Sequence, residues 1–344
     1  MRTPDLTRVV DNVVAAFGLG SHLGATAAEP VREAWSNDVL RVRTTSGAYA
    51  VKFFPRELGP EQRAALRNGM EVERIVFDTG QVPMPEPEPD PDTGSWLLEL
   101  AEPGTGAPRL VRVHAWVDGT PCSDVAPSVD LVRDVGRSLG RVHALGLPGG
   151  DTSGLRGVDL ERWQRAIEWA RSATAPWAAE LAACTPLVEE MAGRVDQVRA
   201  ARLPMRRSHR DLDPKNAVVR PDGRVALTDW DYAGPVLPGV ELVVAASSFA
   251  GVEPAVAEQE RLVAEFVAAY RLAGGDAEAP DAWAMAAEFD LDWLLRNVEG
   301  SLRPQPGDDI ELRRRLAPEL IASLAADVTA LERWARLIAV ILSG

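Results

Sequence analysis

The stretch Ser208-His209-Arg210-Asp211-Leu212-Asp213-Pro214-Lys215-Asn216, followed by Leu227-Thr228-Asp229-Trp230-Asp231, decides how the chain is read. Asp213 and Pro214 are turn formers, so Asp211 and Asn216 belong on one irregular loop. Residues 217–220 and 225–228 are strand-like and are joined by the turn signal Pro221-Asp222-Gly223. The hairpin folds the chain back and delivers Asp229 beside the loop. Three oxygen-bearing side chains, Asp211, Asn216 and Asp229, then converge. Magnesium takes few protein ligands, prefers carboxylate and amide oxygens, and keeps positions for phosphate oxygens, so this set suits a metal-bound nucleotide. Any one of these residues alone would be a turn or cap residue; their order, with the hairpin between them, carries the reading.

Upstream, residues 38–44 and 48–54 alternate in polarity around Ser46-Gly47 and predict a β-hairpin. Val51 and Phe53 on one face of its second arm send Lys52 to the other. A helix is expected at 3–17 and another at 61–79, the latter stopped by Gly80 and the proline-rich run 83–91, which reads as an extended, rigid spacer. Strands are expected at 95–100 and 109–117, ending at Asp118-Gly119. Beyond Gly119 the spacing turns helical at 129–145, 160–172, 177–201 and from 241 onward. The fold class is therefore α+β and bilobal. A small antiparallel β lobe with one helix (1–116) is followed by a larger, mainly helical lobe (117–344), and a ligand is expected between them.

Composition narrows the function. The formal net charge is −14, without the basic footprint that nucleic acid requires. There are two cysteines, Cys122 and Cys184, and four dispersed histidines, which exclude a disulfide framework and argue against a zinc enzyme. The N-terminus has no apolar core of signal-peptide type and no run is long enough to span a membrane, so a cytoplasmic protein without membrane or nucleic-acid partners is expected. Among 37 basic residues only Lys52 and Lys215 are lysines. A chain that uses arginine by default keeps lysine where a compact ammonium matters.

The run His209-Arg210-Asp211, four residues, Asn216, a hairpin and then Asp229 resembles the catalytic and metal loops of kinases. Trp230-Asp231 in place of Phe-Gly, Asp213-Pro214-Lys215, and the lack of an Ala-Pro-Glu motif make it similar to the aminoglycoside phosphotransferase and choline kinase branch, with a protein-kinase-like fold. The resemblance spans residues 37 to about 270. It implies ATP and Mg2+ as cofactors, with Asp211 as the catalytic base. Asn216 and Asp229 would hold the metal, Asp231 would be an accessory site residue, and His209 would brace the loop. Lys52, in Tyr49-Ala50-Val51-Lys52-Phe53-Phe54, would contact the α- and β-phosphates. Its expected partner is a glutamate of the following helix, Glu71 in preference to Glu73. Ser36-Asn37 would replace the glycine-rich phosphate loop, although a plain β-turn fits as well. Adenine is expected on the backbone of Val113, His114 and Ala115. Glu241 stands where relatives tether the catalytic loop with an acid, but an acid early in a helix has a structural reason of its own.

For the acceptor, two segments compete: 159–180, with Trp163, Trp169 and Trp177, and 288–299, with Glu288, Asp292 and Glu299. Such stripes are ordinarily core tryptophans and solvated acids. If either lines the site, the substrate is an amine. The leading expectation is an O-phosphotransferase acting on an aminoglycoside-like or other antibiotic. A metabolic kinase of choline, homoserine or a sugar is the alternative, and a nucleotide-binding pseudokinase is the reading from another class.

Overall fold

Hydrophobic spacing in the first seventeen residues folds as α1 (Thr3–Ala16), and the alternation after it as β1 (Ala28–Pro30), β2 (Asp38–Arg43) and β3 (Ala48–Phe53). Then come α2 (Pro60–Asp78), β4 (Leu98–Ala101), β5 (Pro108–Ala115), β6 (Thr120–Pro121), α3 (Val129–Ala144), β7 (Pro148–Asp151), α4 (Leu160–Ser172), α5 (Ala178–Ala183), α6 (Thr185–Ala200) and β8 (Pro204–Ser208). The chain closes with β9 (Ala217–Val219), β10 (Val225–Leu227), β11 (Gly234–Val236), α7 (Pro238–Ala250), α8 (Val256–Leu272), α9 (Ala284–Leu302) and α10 (Ile310–Ser343). The computed structural model describes residues 3–24, 28–31, 38–55, 58–101, 106–252, 254–277, 283–304 and 309–343.

Two compact units result, and they do not follow a single cut in the sequence. The first comprises Met1–Ala126 together with Asp211–Gly234; the second comprises Pro127–Arg210 and Pro235–Gly344. The segment Asp211–Gly234 thus groups with the N-terminal sheet, whereas the expected division into 1–116 and 117–344 leaves it with the helices.

In the first unit the sheet order is β1-β2-β3-β5-β4, and all four pairings are antiparallel. Strand alternation gives it two unlike faces. Val51, Phe53, Val111 and Val113 turn toward Val9, Val10, Val13 and Val14 of α1 and Phe17 just after it, forming the unit's main core. Fully burying each such side chain contributes about 1.5–3 kcal/mol. The opposite face carries Lys52 and Arg112, which stand directly across from each other in the β3–β5 register. Both expected helices are present, α1 where 3–17 was expected and α2 where 61–79 was. The buried stripe of α2 is Leu66, Gly69, Val72, Glu73 and Val76. Gly69 has a packing reason: a Cβ there would lie 3.0 Å from the carbonyl oxygens of Trp230 and Asp231, so glycine lets the helix approach that loop.

The proline-rich run is not a spacer. Glu88 N–H donates to Val113 O (2.9 Å), Ala115 N–H to Glu86 O (2.8 Å), and Leu227 N–H to Pro83 O (2.9 Å). Prolines suit an added edge segment, because only alternate residues must donate.

In the second unit, α3 and α8 cross closely. A Cβ at Gly136 or Gly140 would meet the carbonyl oxygens of Phe266 and Tyr270 at 2.4 and 2.3 Å. The helix expected over 177–201 is two, α5 and α6, divided at Cys184 with a proline in the first turn of α6, where its missing N–H is no loss. Short β7 and β8, which pair antiparallel, were not foreseen; Pro148-Gly149-Gly150-Asp151 and Arg206-Arg207 offer no alternating apolar signal.

Candidate active site

Asp213, Pro214 and the residues after them make one 3-10 turn, Pro214–Asn216, in which the Asp213 side chain accepts from Lys215 N–H (3.0 Å) and Asp213 O accepts from Asn216 N–H (2.8 Å). This turn aims Asn216 back at Asp211. Asn216 Nδ2 donates to both the carbonyl and Oδ2 of Asp211, each at 2.8 Å, and Asn216 is 5% exposed. The hairpin follows in the register Ala217↔Leu227, Val218↔Ala226 and Val219↔Val225. Thr228 N–H donates to Asn216 O (2.9 Å), so Asp229 starts one residue beyond a direct link to the loop. Asp229 takes a left-handed backbone, φ 60° and ψ 62°. For a residue with a Cβ this conformation carries strain, and strain of this kind collects at functional sites. Trp230, 1% exposed, anchors the turn with its indole N–H on Leu227 O (3.4 Å).

Lys52 is where the alternation put it, on the polar face of β3, with its side chain 11% exposed. Its partners are Asp229 (Nζ to Oδ1 2.7 Å) and Asp231, not a glutamate of α2. Burial works against the ammonium, but Asp231 and Asp229 outweigh it and raise the Lys52 pKa above its ordinary value. Asp231 also accepts from Arg112 Nη1 (2.7 Å), while Arg112 Nη2 donates to Glu73. His114 Nε2 stands 2.9 Å from Glu73 Oε1. For both buried acids desolvation pushes the pKa up. Arg112 and His114 win at Glu73, and Lys52 and Arg112 win at Asp231, so each carboxyl is held down at about 2.

In the second unit, Arg210 directly precedes Asp211 in the chain and is also left-handed, at φ 66°. Its N–H donates to Glu241 Oε1 (2.5 Å), on the first turn of α7. Glu241 Oε2 is 2.7 Å from His143 Nε2, whose Nδ1 is 2.8 Å from the Tyr270 hydroxyl, and Ser208 Oγ lies 3.1 Å from the same Nε2. Burial raises the Glu241 pKa, but the His143 hydrogen bond and the other donors lower it overall. The acid therefore tethers the loop as well as sitting early in a helix. His209, expected as a brace, is fully buried.

Other expectations fare differently. Glu71 lies on the exposed face of α2, and the inward glutamate is Glu73, whose cation is Arg112. Helical spacing decides this, because Glu73 shares the stripe of Leu66, Gly69 and Val76. The backbone of Val113, His114 and Ala115 is already in use. Val113 O and Ala115 N–H serve Glu88 and Glu86, Trp116 N–H serves Ala48, and the His114 side chain serves Glu73. Ser36 and Asn37 lie outside the described residues. The stripe at 288–299 is neutralised from within its own unit. Arg162 forks onto Glu299 (2.8 Å twice) and reaches Asp292 (2.6 Å), and Arg296 takes the other Asp292 oxygen. Glu288 accepts from Gly157 N–H (3.2 Å) and is raised in pKa by burial. Trp163 is core, with its indole N–H on Thr185 (3.1 Å), and Arg303 stacks on Trp169.

Arg112 was missed. A signal existed: it is an arginine between Val111 and Val113, which strand alternation turns to the face opposite those valines, as it turns Lys52 away from Val51 and Phe53. Among the described residues no group of three or more His, Cys, Asp or Glu side chains is arranged to hold a metal. A hard ion that takes one carboxylate, one amide oxygen and phosphate oxygens needs no such cage, and Asp229 and Asn216 are residues of the types that could hold it. No described helix is long and apolar enough to cross a membrane.

A search of curated protein sequences finds no match. Among solved structures the chain is similar to an amicoumacin kinase in complex with AMP-PNP and Ca2+, at 14% identity and TM-score 0.62 over 93% of each chain. It is similar to a spectinomycin phosphotransferase in complex with ADP and spectinomycin, at 11% identity and TM-score 0.64 over 93% of this chain and 97% of that one. A choline kinase from Streptococcus pneumoniae matches at 17% identity and TM-score 0.53, over 92% of this chain and 99% of that one. At such identities the likeness establishes the fold, which is protein-kinase-like. The model of the phosphotransferase enzyme family matches residues 27–289, well over half of the chain. With the loop, hairpin and lysine strand assembled as described, the chain belongs to this family of ATP-dependent small-molecule kinases.

Proposed function

We propose that the chain is an ATP- and magnesium-dependent O-phosphotransferase acting on a hydroxyl of a small molecule, with an antibiotic as the first acceptor class to test. The observation that carries the reading is the gathering of Lys52, Asp211, Asn216 and Asp229 within one compact unit, with Asp229 in a strained left-handed backbone. Asp211, its carboxylate oriented by the Asn216 amide, accepts the proton of the attacking hydroxyl. Asn216, through its amide oxygen, and Asp229 would hold magnesium. When bound, the metal would neutralise charge on the phosphates. Lys52 exchanges a carboxylate for phosphate oxygens, and Glu241 keeps Arg210, and so the start of the loop, in place.

With Val113 and Ala115 engaged, the adenine contact moves to the connection after Trp116. The antibiotic class draws support from two relatives, whose names give amicoumacin and spectinomycin as their substrates. A choline-kinase relative keeps a metabolic acceptor on the panel. The neutralised 288–299 stripe gives no support to a cationic acceptor.

The test is magnesium-dependent ATP consumption across aminoglycosides, other hydroxylated antibiotics, choline, amino alcohols and sugars, with Asp211→Asn as control. The expected result is turnover with one class, lowered about a thousandfold in the control. Turnover untouched by Asp211→Asn would remove Asp211 from the reaction.

A further inference from the structure

Five charged side chains of the first unit stand in a row: Glu73, Arg112, Asp231, Lys52 and Asp229. Side-chain exposure rises along it from 1% at Glu73 and Arg112, through 7% at Asp231 and 11% at Lys52, to 37% at Asp229. Only the outer end meets solvent. Lys52 holds two carboxylates at once, and its three N–H donors can serve both the α- and β-phosphates only if at least one carboxylate is let go. Asp229 is open enough to be solvated when released; Asp231 is not. A carboxylate buried that deeply is costly to leave without a cation, which by itself would keep Lys52 in place.

Arg112 changes this balance. Its Nη1 donates to Asp231 and its Nη2 to Glu73, so one planar, permanently charged fork holds an acid of the Asp229–Asp231 loop and an acid of α2. Lys52 and Arg112 are also direct register partners, two cations side by side on one sheet face, an arrangement that repels unless acids lie between them.

We propose that Arg112 is a positioning residue that holds Asp231 as its standing counter-ion, which frees Lys52 to exchange carboxylate for nucleotide phosphate. It also ties α2, through Glu73, to the same loop. This inference rests on the nucleotide-binding reading above. Lysine cannot replace the arginine, since a single ammonium lacks the planar fork that spans two carboxylates.

The experiment titrates a non-hydrolysable ATP analogue with magnesium into the full chain by calorimetry, alongside urea unfolding of every variant. Arg112→Met is expected to weaken binding by about tenfold or more, because Lys52 becomes the one cation left for Asp231. Adding Asp231→Asn to Arg112→Met removes the carboxylate that traps Lys52 and should recover most of that loss. Arg112→Lys, the variant that keeps a charge and is expected to fold, should fall between wild type and Arg112→Met. Wild-type affinity in Arg112→Met or, should that variant not fold, in Arg112→Lys would overturn the proposal. So would a double variant no better than Arg112→Met, with binding that merely follows the folded fraction. If the wild type itself binds no nucleotide, the functional reading fails first, which separates the two failures.

Discussion

Each compact unit buries a polar network, and the two differ in what their burial permits. In the second unit His143, Glu241, Ser208 and Tyr270 are exposed by 0–4%, and one backbone N–H, that of Arg210, is held among them. Every member is engaged with another, and all are buried. In the first unit the network is sealed at Glu73 and Arg112 but opens through Lys52 to a half-exposed Asp229. A closed network fixes geometry; a graded one can change partners at its open end. The first pattern suits a brace for a loop, the second a site that receives charged ligands.

The contrast is sharpest in the response to truncation. Glu241→Ala leaves the Arg210 N–H and His143 without their acceptor in a dry interior. It should destabilise the protein by about 3 kcal/mol in urea unfolding. A loss below about 1 kcal/mol would mean that water or another acceptor replaces the carboxylate, and the brace would not be closed.

Acid is a gentler probe of the other network. Glu73 and Asp231 are held at about 2 in the folded state against ordinary values of 4.5 and 3.8. Between those limits the unfolded chain binds more protons than the folded one, so stability rises with pH across that window. The contribution is complete above about pH 4.5 and is lost as the pH falls toward about 2. Glu73→Gln should flatten this limb of the stability–pH curve while leaving its neutral plateau shape. A limb unchanged in Glu73→Gln would show that Glu73 is not the depressed acid.

The smallest effect is expected from Gly69→Ala. Alanine favours the helix by about 1 kcal/mol, while its Cβ presses on the Trp230 and Asp231 carbonyls at 3.0 Å. Stability should change little, and nucleotide affinity should fall a fewfold, because the helix and the Asp229–Asp231 loop must move apart. Unchanged affinity would show that the loop tolerates this shift.

Much of this was legible in the sequence because it is local. The 208–216 loop, the hairpin and the Lys52 strand are set by turn formers and two-residue alternation, and they fall where expected within a residue or two. What failed is long-range. Glu71 and Glu73 are two residues apart on one helix, and only the stripe facing the sheet tells them apart. Arg112 is 39 residues from Glu73 and 119 from Asp231. The prolines of 83–91 read as a spacer because their partner edge, at Val113 and Ala115, comes later in the chain and is recognised by backbone alone. The same edge engages Val113 O and Ala115 N–H, where the adenine contact was expected. Trp163 is core, as a tryptophan at helical spacing ordinarily is, whereas Asp292 and Glu299, expected as solvated acids, are arginine partners through Arg162, which lies 130 or more residues away in the chain.

The most direct test of the central claim is the binding of a non-hydrolysable ATP analogue, with and without magnesium, to the wild type, Lys52→Met and Asp229→Ala. Wild type should bind in a magnesium-dependent way. Lys52→Met should lose about ten- to a hundredfold, with little loss of stability because Arg112 still holds Asp231. Asp229→Ala should bind alike with and without the metal. Nucleotide binding that is absent in the wild type, or that ignores both substitutions, would contradict the assignment of this site.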